Sequence, residues 1–246
     1  MRDEMESLWS AMKGTHYKRT IDRLTKSIRS TRNLEEAMQA ALDMVVNAVH
    51  AQAGTFWYYN RFQDGRITPR AVFGGGDLSG ISLLPGEGVA GQVIESGKAT
   101  IIADCQSDPR WAGKVDAKTG FTTRSMICVP LKLEDTVFGS IQIINKTDNM
   151  AYDEKDLEFV ERLAEEISQL LKYQGLLEDF VEYARSGNPA ASMEVTAREL
   201  FCSGSAEEME YCLHSMEEFS GLMLSEQKKV LNLIREIRTI FERAGY

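Results

Sequence analysis

A chain of 246 residues, 43% of them hydrophobic and 26% charged, can bury one substantial core with a small appendage, and two full-sized domains do not fit. The formal charge of -9 excludes a general attraction to nucleic acid, because a surface that grips a phosphate backbone must neutralise several negative charges. The opening MRDEMESLWSAMKG has acids and no apolar run where a signal peptide or anchor would need one, so the expectation is a soluble cytoplasmic protein with no membrane partner.

Residues 4–30 mix charges with Leu8, Trp9, Met12, Ile21, Leu24 and Ile28, which predicts a helix with one apolar stripe. Asn33 followed by Glu36 has the form of a capping box, and the helix it opens carries Leu34, Met38, Ala41, Leu42, Val45 and Val49 on one face to about His50. The run AGTFWYY from Ala53 to Tyr59 reads as a strand, and RFQDGR turns into a second strand from about Ile67 to Phe73. Strands joined so closely are antiparallel, which argues against a doubly wound nucleotide fold. GGGDLSG is a bend, LLPGEGVAGQVIESGK has the rhythm of loop, short helix and glycine stop, and Thr100 to Ala103 makes a short strand. Residues 104–123 show turn formers, aromatics and charges without a periodic segment, an irregularity that is commonly functional in a compact domain.

SMICVPLKL from 125 and TVFGSIQIIN from 136 form a second hairpin across Glu134 and Asp135. A long helix follows from Tyr152 to about Lys172, with Leu157, Val160, Leu163, Ile167, Leu170 and Leu171 on one stripe, and continues through Leu176, Leu177, Phe180 and Val181. In the tail, Thr196 with Glu199 and Ser205 with Glu208 have capping-box spacing, and Ser225 is placed to cap a last helix bearing Val230, Leu231, Leu233, Ile234, Ile237, Ile240 and Phe241. From residue 176 onward 13 acids stand against 7 bases, so the tail is an acidic helical packing element and a poor reader of DNA.

Chemistry is sparse. PGEGVAG at 85–91 lacks the Lys and following Ser or Thr of a phosphate loop and the central strand that precedes a dinucleotide loop. Its glycines are read as a tight turn into a helix, with an array of backbone N–H groups against a ligand as the alternative. Cys105, Cys128, Cys202 and Cys212 include no close pair and the three histidines lie far apart, so neither a zinc site nor a disulfide framework is expected. Cys128 reads as a small buried hydrophobe, and Cys105 as either structural or a reactive group lining a pocket. With no acid–base dyad or Cys–His pair, the expectation is a protein that is not an enzyme, and the residues name no cofactor. KVDAKTGFTTRSMICVPL, residues 114–131, concentrates hydroxyls, an aromatic and charges before a core strand, the way an apolar pocket acquires polar points that orient a ligand. An ordered lid packed for stability is the other reading.

Three stretches carry a family resemblance: LPGEGVAGQVIESGKATIIADCQSDPRW, VDAKTGFTTRSMICVPL, and FGSIQIINK with the long helix behind it. Together they resemble a GAF domain over residues 31–173, close to the subgroup of cyclic-nucleotide phosphodiesterases and bacterial adenylyl cyclases. The resemblance implies an α+β, PAS-like fold with a central antiparallel sheet of about six strands. It also implies helices on one face and a lidded pocket on the other; outside it, the apolar stripes leave helical extensions at residues 1–30 and 174–246. In the nucleotide-binding subgroup the positions matching Phe73, Ala90, Asp116, Thr119, Thr123 and Gln142 lie at the pocket. Phe73 would stack on a flat ring, while Thr119, Thr123 and Gln142 would hydrogen-bond a base or phosphate.

The subgroup also has an Asn-Lys pair, a downstream Phe and an Asp-Glu pair. This chain has Asn145, Lys146, Tyr152 and Asp156, and then Leu157 in place of the last acid. A Lys146–Asp156 ion pair is therefore implied at the pocket edge, while the incomplete motif points toward a small planar or polar metabolite other than a cyclic nucleotide. Methionine-sulfoxide reductases of this fold use cysteines around the glycine-rich loop and lid, and bilin photoreceptors a Cys and His pair in the lid; neither arrangement is present. The reading that results is a sensor that binds a small molecule, dimerises through its flanking helices and acts on a separate protein. Its rival is a packed structural module, plugged by Phe73 and Met126, that works through protein contacts.

Overall fold

The computed structural model describes residues 17–28, 30–31, 33–60, 65–111, 116, 120–133, 136–186, 222–232 and 235, with backbone alone for residues 60 and 172–186. Leu8, Trp9, Met12, Thr119, Glu134, Asp135 and the expected caps at Thr196, Glu199, Ser205 and Glu208 lie outside the described residues.

Helix α1 covers residues 17–28 and buries Leu24 and Ile28 in the core. Its Tyr17 ring meets Phe159 edge-on with centroids 6.1 Å apart. Helix α2, Leu34–Ala48, opens where Asn33 leaves an extended backbone and its side chain accepts the Glu36 N–H at 2.9 Å. Strands β1 (Ala51–Asn60) and β2 (Arg66–Phe73) make the first hairpin; α3 (Gly88–Ser96), β3 (Thr100–Ile102), β4 (Met126–Leu133), β5 (Thr136–Lys146) and α4 (Glu154–Ser186) follow, with a last helix α5 at residues 224–232. The sheet order is β2-β1-β5-β4-β3 and every neighbouring pair is antiparallel.

Among the described residues the sheet has five strands where about six were expected. Beside β2, Leu83 exchanges two backbone hydrogen bonds of 2.9 Å with Ile67 and the pairing then stops. Pro85 has no N–H to continue it, and Gly86 turns the chain at φ 82°. A sixth strand is thereby reduced to one bridge.

The period of two divides the sheet into two faces. Phe56, Ile127, Val129, Leu131, Ile141 and Ile143 face α1, α2 and α4 in one continuous core. Trp57, Met126 and Cys128 face the other way and pack with Val89, Ala90, Val93 and Ile94 of α3. Gly91 lets the turn at 84–86 lie against α3: a Cβ there would lie 2.6 Å from the Leu84 carbonyl oxygen. The helix ends at Gly97, φ 62°, whose N–H returns to Val93.

Helix α4 starts with a reciprocal cap. Asp153 accepts the N–H groups of Lys155 and Asp156, and the Asp156 carboxylate accepts the N–H of Asp153 at 2.9 Å. Ser225 does not cap α5: the helix begins one residue earlier, and Glu226 accepts the Met223 N–H at 2.8 Å, so Met223 holds the cap position. Among the described residues no helix is long and apolar enough to cross a membrane.

Gly139 on β5 faces the Trp57 carbonyl oxygen so closely that an added methyl would force β1 and β5 apart. Gly139→Ala should therefore cost about 1–3 kcal/mol, read as a lower urea midpoint with an unchanged slope; wild-type stability would mean that the strands yield freely there.

Candidate functional site

The face opposite the long helices has a floor of strands, a wall formed by α3 and a roof formed by the chain entering β4. Register places Thr55, Gln142, Cys128 and Thr100 side by side across β1, β5, β4 and β3, and Ala53, Ile144, Met126 and Ile102 in the next row. On central strand β5, Ile141 and Ile143 are 0% exposed toward the helices, while Gln142 and Ile144 on the opposite face are only half-buried. The middle of the sheet is therefore sealed on one side and accessible on the other.

Gln142 is held by diagonal neighbours from both flanking strands. Trp57 Nε1 donates to Gln142 Oε1 at 2.9 Å, and Gln142 Nε2 donates to Met126 Sδ at 3.3 Å. Trp57 and Met126 are buried. Ala90 is buried in the same cluster, on α3.

The roof is tied down at its exit. Thr123, 2% exposed, donates through its backbone N–H and its hydroxyl to the two carboxylate oxygens of Asp116, both at 2.6 Å. Gln106 Nε2 donates to the Thr123 carbonyl at 3.0 Å, and the Cys105 N–H donates to the Arg124 carbonyl at 2.7 Å. Asn145, at φ 53° and 1% exposed, accepts the N–H groups of Arg124 and Ser125 on Oδ1 and donates to Thr122 O and Gln52 Oε1. The Arg124 guanidinium lies outside, donating to Asn149 at 2.8 Å and Gln52 at 3.2 Å.

At the foot of β5, Lys146 Nζ lies 2.5 Å from Asp156 Oδ2 and 5.5 Å from the centroid of the Tyr152 ring. Asp156 thus serves both the ion pair and the α4 cap. The Tyr152 hydroxyl is buried and has no hydrogen-bond partner among the described residues; burial, then the charges of Asp156 and Asp148, raises its pKa.

Of the expected pocket residues, Gln142 lies on the floor and Ala90 on the helix that packs against it, each touching the cluster of Trp57 and Met126, and Asp116 and Thr123 meet each other in the roof. Thr119 is outside the described residues. Phe73 is placed differently: it packs against the helix-side core, paired with Gly54, whose own missing Cβ points at Val46 and Leu42 of α2. The cause is a β-bulge. The register of β1 and β2 slips between Phe56 and Trp57 by one extra residue, Arg70; without it Phe73 would oppose Ala53 on the pocket face. The extra residue has its own partners, Glu35 at 3.0 Å and the Tyr58 ring at 5.5 Å.

Trp57 and Gln106 carried no motif signal, since their roles depend on pairing between distant segments. Asp153, three residues before Asp156, did carry a legible cap spacing.

Both described cysteines are buried. Burial pushes the Cys128 thiol up to about 12, and burial, then Asp108, Asp116 and Asp104, does the same for Cys105 against the opposing charge of Arg110. Among the described residues no group of three or more His, Cys, Asp or Glu is placed to hold a metal ion.

Two expectations follow from this geometry. Asn145→Ala leaves the N–H groups of Arg124 and Ser125 without their acceptor, at a cost of about 1–3 kcal/mol for each one that stays buried. Asn145→Gly should be milder because it relieves the backbone at φ 53°; equal losses in urea unfolding would put the cost in the side chain alone. For the thiols, the folded state holds its protons from the ordinary value of 9.0 up to about 12 and so binds more protons than the unfolded chain in that window. Their contribution is complete below pH 9 and declines as pH rises. In a Cys202→Ser, Cys212→Ser chain the folded protein should resist iodoacetamide at pH 8 and react only in denaturant, and fast labelling of the folded chain would contradict closed thiols.

This chain is 27% identical over 163 residues to a probable 3',5'-cyclic phosphodiesterase of Caenorhabditis elegans, covering 63% of this chain and 22% of that protein. It is 38% identical over 79 residues to a cGMP-specific 3',5'-cyclic phosphodiesterase of Drosophila mojavensis, covering 31% of this chain and 7% of that protein. It therefore spans about a fifth or less of the length of these relatives. Among solved structures, the GAF domain of a phosphoenolpyruvate-protein phosphotransferase from Coxiella burnetii aligns with a TM-score of 0.56 at 18% identity, covering 64% of this chain and 93% of that one. A free methionine-R-sulfoxide reductase from Neisseria meningitidis, solved with its substrate, aligns with a TM-score of 0.53 at 17% identity, covering 63% and 88%. At these identities the likeness is one of fold, and one of these two neighbours is an enzyme. The GAF domain profile matches residues 31–172, more than half of the sequence, and the chain belongs to the GAF domain family.

Proposed function

We propose that this GAF domain is a regulatory sensor module that takes a small molecule into the space above Gln142, between α3 and the segment leading into β4. One observation carries the reading: the centre of β5 is sealed against the helices at Ile141 and Ile143 and accessible at Gln142 and Ile144. A central strand with two half-buried positions, walled by apolar side chains and roofed by hydrogen-bonding groups, is the anatomy of a small-molecule site. Thr123 and Gln142 supply polar contacts, Ala90 leaves room beside them, and Asp116 orients Thr123. The similarity to parts of cyclic-nucleotide phosphodiesterases supports a regulatory role, and the absence of the second acid after Asp156 favours a planar or polar metabolite over a cyclic nucleotide.

Signal passes from the roof to α4 by way of Asn145, Lys146 and Asp156. For this a ligand must prefer one arrangement of these groups, and about 1–3 kcal/mol of difference is enough. In this reading the chain divides into an N-terminal helix at 1–30, the sensor at 31–173 and an acidic helical region at 174–246. It is a cytoplasmic homodimer through α1 and α4, performs no catalysis of its own and acts on a separate protein.

A second reading has its own observation. Trp57, Gln142 and Met126 satisfy one another, and the two apolar members are buried, as they would be in a floor that needs no ligand. The protein would then act by contacts alone.

Native mass spectrometry of the chain purified from its own host, followed by denaturation, separates the two. The sensor reading expects a stoichiometric small molecule that is lost in Gln142→Ala and Thr123→Ala while the fold is kept. An empty chain with no thermal shift toward cyclic nucleotides or common metabolites selects the structural module.

A further inference from the structure

The Trp57 indole fixes the orientation of the Gln142 amide. An indole N–H can only donate, so the atom 2.9 Å from Trp57 Nε1 is the amide oxygen, and that oxygen is engaged within the protein. The NH2 group of Gln142 is thereby turned toward Met126, where one contact is a 3.3 Å approach to a thioether sulfur, a weak acceptor. An amide NH2 has two hydrogens, and among the described residues the second has no partner. A half-buried glutamine that was free to rotate would offer a donor or an acceptor with equal ease; this one offers a donor.

Its surroundings restrict the acceptor that can meet it. Thr55, Cys128, Met126, Ile144 and Trp57 carry no positive charge, and the groups that act electrostatically on the nearby Cys105 are three carboxylates, Asp104, Asp108 and Asp116, against the single guanidinium of Arg110. None of the described groups in contact with Gln142 is a cation, so an anion brought there would lose its hydration without a counter-charge from them.

We infer that Trp57 is a specificity-determining residue, one that sets Gln142 as a donor and so selects ligands presenting a neutral acceptor, an amide-type carbonyl or a pyridine-type nitrogen, to the middle of the sheet. The inference rests on the sensor reading and names the ligand chemistry within it. Trp57 acts through Gln142 and is a positioning residue.

Three fragments of similar size test it on the full chain by ¹H–¹⁵N NMR at pH 7.5: isoquinoline as a neutral acceptor, indole as a donor and benzoate as an anionic acceptor. Isoquinoline should bind at least about tenfold more tightly than the other two, with the Gln142 side-chain NH2 resonances and the Trp57 indole resonance shifting. In Trp57→Phe, shown folded by its backbone spectrum, the preference should fall to within about threefold, because the amide is then free to turn. Gln142→Glu provides an independent arm that leaves Trp57 in place: its carboxylate accepts from the indole with one oxygen and offers only acceptance with the other, so the order should reverse in favour of indole. Equal or tighter binding of indole or benzoate to the wild type, or an unchanged preference in either variant, overturns the inference and leaves the sensor reading standing. Failure of all three fragments to bind the wild type at millimolar concentration overturns the sensor reading and the inference with it.

Discussion

The structure turns on Asn145. Its side chain occupies all the hydrogen-bonding directions of an amide, two backbone donors on the oxygen and two acceptors on the nitrogen, and it does so with 1% of its surface exposed. Its backbone, at φ 53°, is in the left-handed region that asparagine tolerates better than other residues with a side chain. One residue thereby ends β5, anchors the chain entering β4 and reaches across to Gln52 on β1. The same three segments are also joined by the Arg124 guanidinium on Gln52, the Gln52 amide on the Lys146 carbonyl and the Asn145 N–H on Ser125, so the amide sits at the centre of a small network shared by the roof and the foot of β5.

The two faces of the sheet follow different rules. Toward α1, α2 and α4 the side chains are almost uniformly aliphatic and packing decides everything. Toward α3 an indole, an amide, two sulfur-bearing side chains and several hydroxyls are interleaved, and hydrogen-bond orientation becomes as informative as volume. The buried hydroxyl of Ser140 belongs to this second face as well, beside the Cys128 thiol.

Much of the architecture was legible because local chemistry and global fold agree. Asn33 caps α2 as its spacing implies, both hairpins follow from alternation between turn formers, and the glycines around α3 permit the close turn that they suggest. What escaped the sequence depends on register. The extra residue at Arg70 moves Phe73 from one face to the other, and nothing in the string RITPRAVF announces it. The contact between Trp57 and Gln142 joins residues 85 positions apart on strands that are neighbours only once the sheet order is known. The sixth strand failed for a legible reason, a proline just after Leu83, that was outweighed by the expectation taken from the family. Ser225 illustrates a different limit: a good cap residue was passed over because the helix starts one residue earlier, where Glu226 accepts the N–H of Met223 from inside the first turn.

The double duty of Asp156 has a mechanical side. Its carboxylate belongs at once to the foot of β5, through Lys146, and to the first turn of α4, through Asp153. Helix α4 runs for 33 residues, and an unbroken α-helix of that size is a rod of about 50 Å. Hinged at Asp156, such a rod is a lever arm: a tilt of about 5° at the base carries the far end through roughly 4 Å. In the sensor reading proposed above, that is how a small displacement at the ion pair would reach the distal end, the core contacts of Val160, Leu163, Ile167 and Leu171 tilting with it.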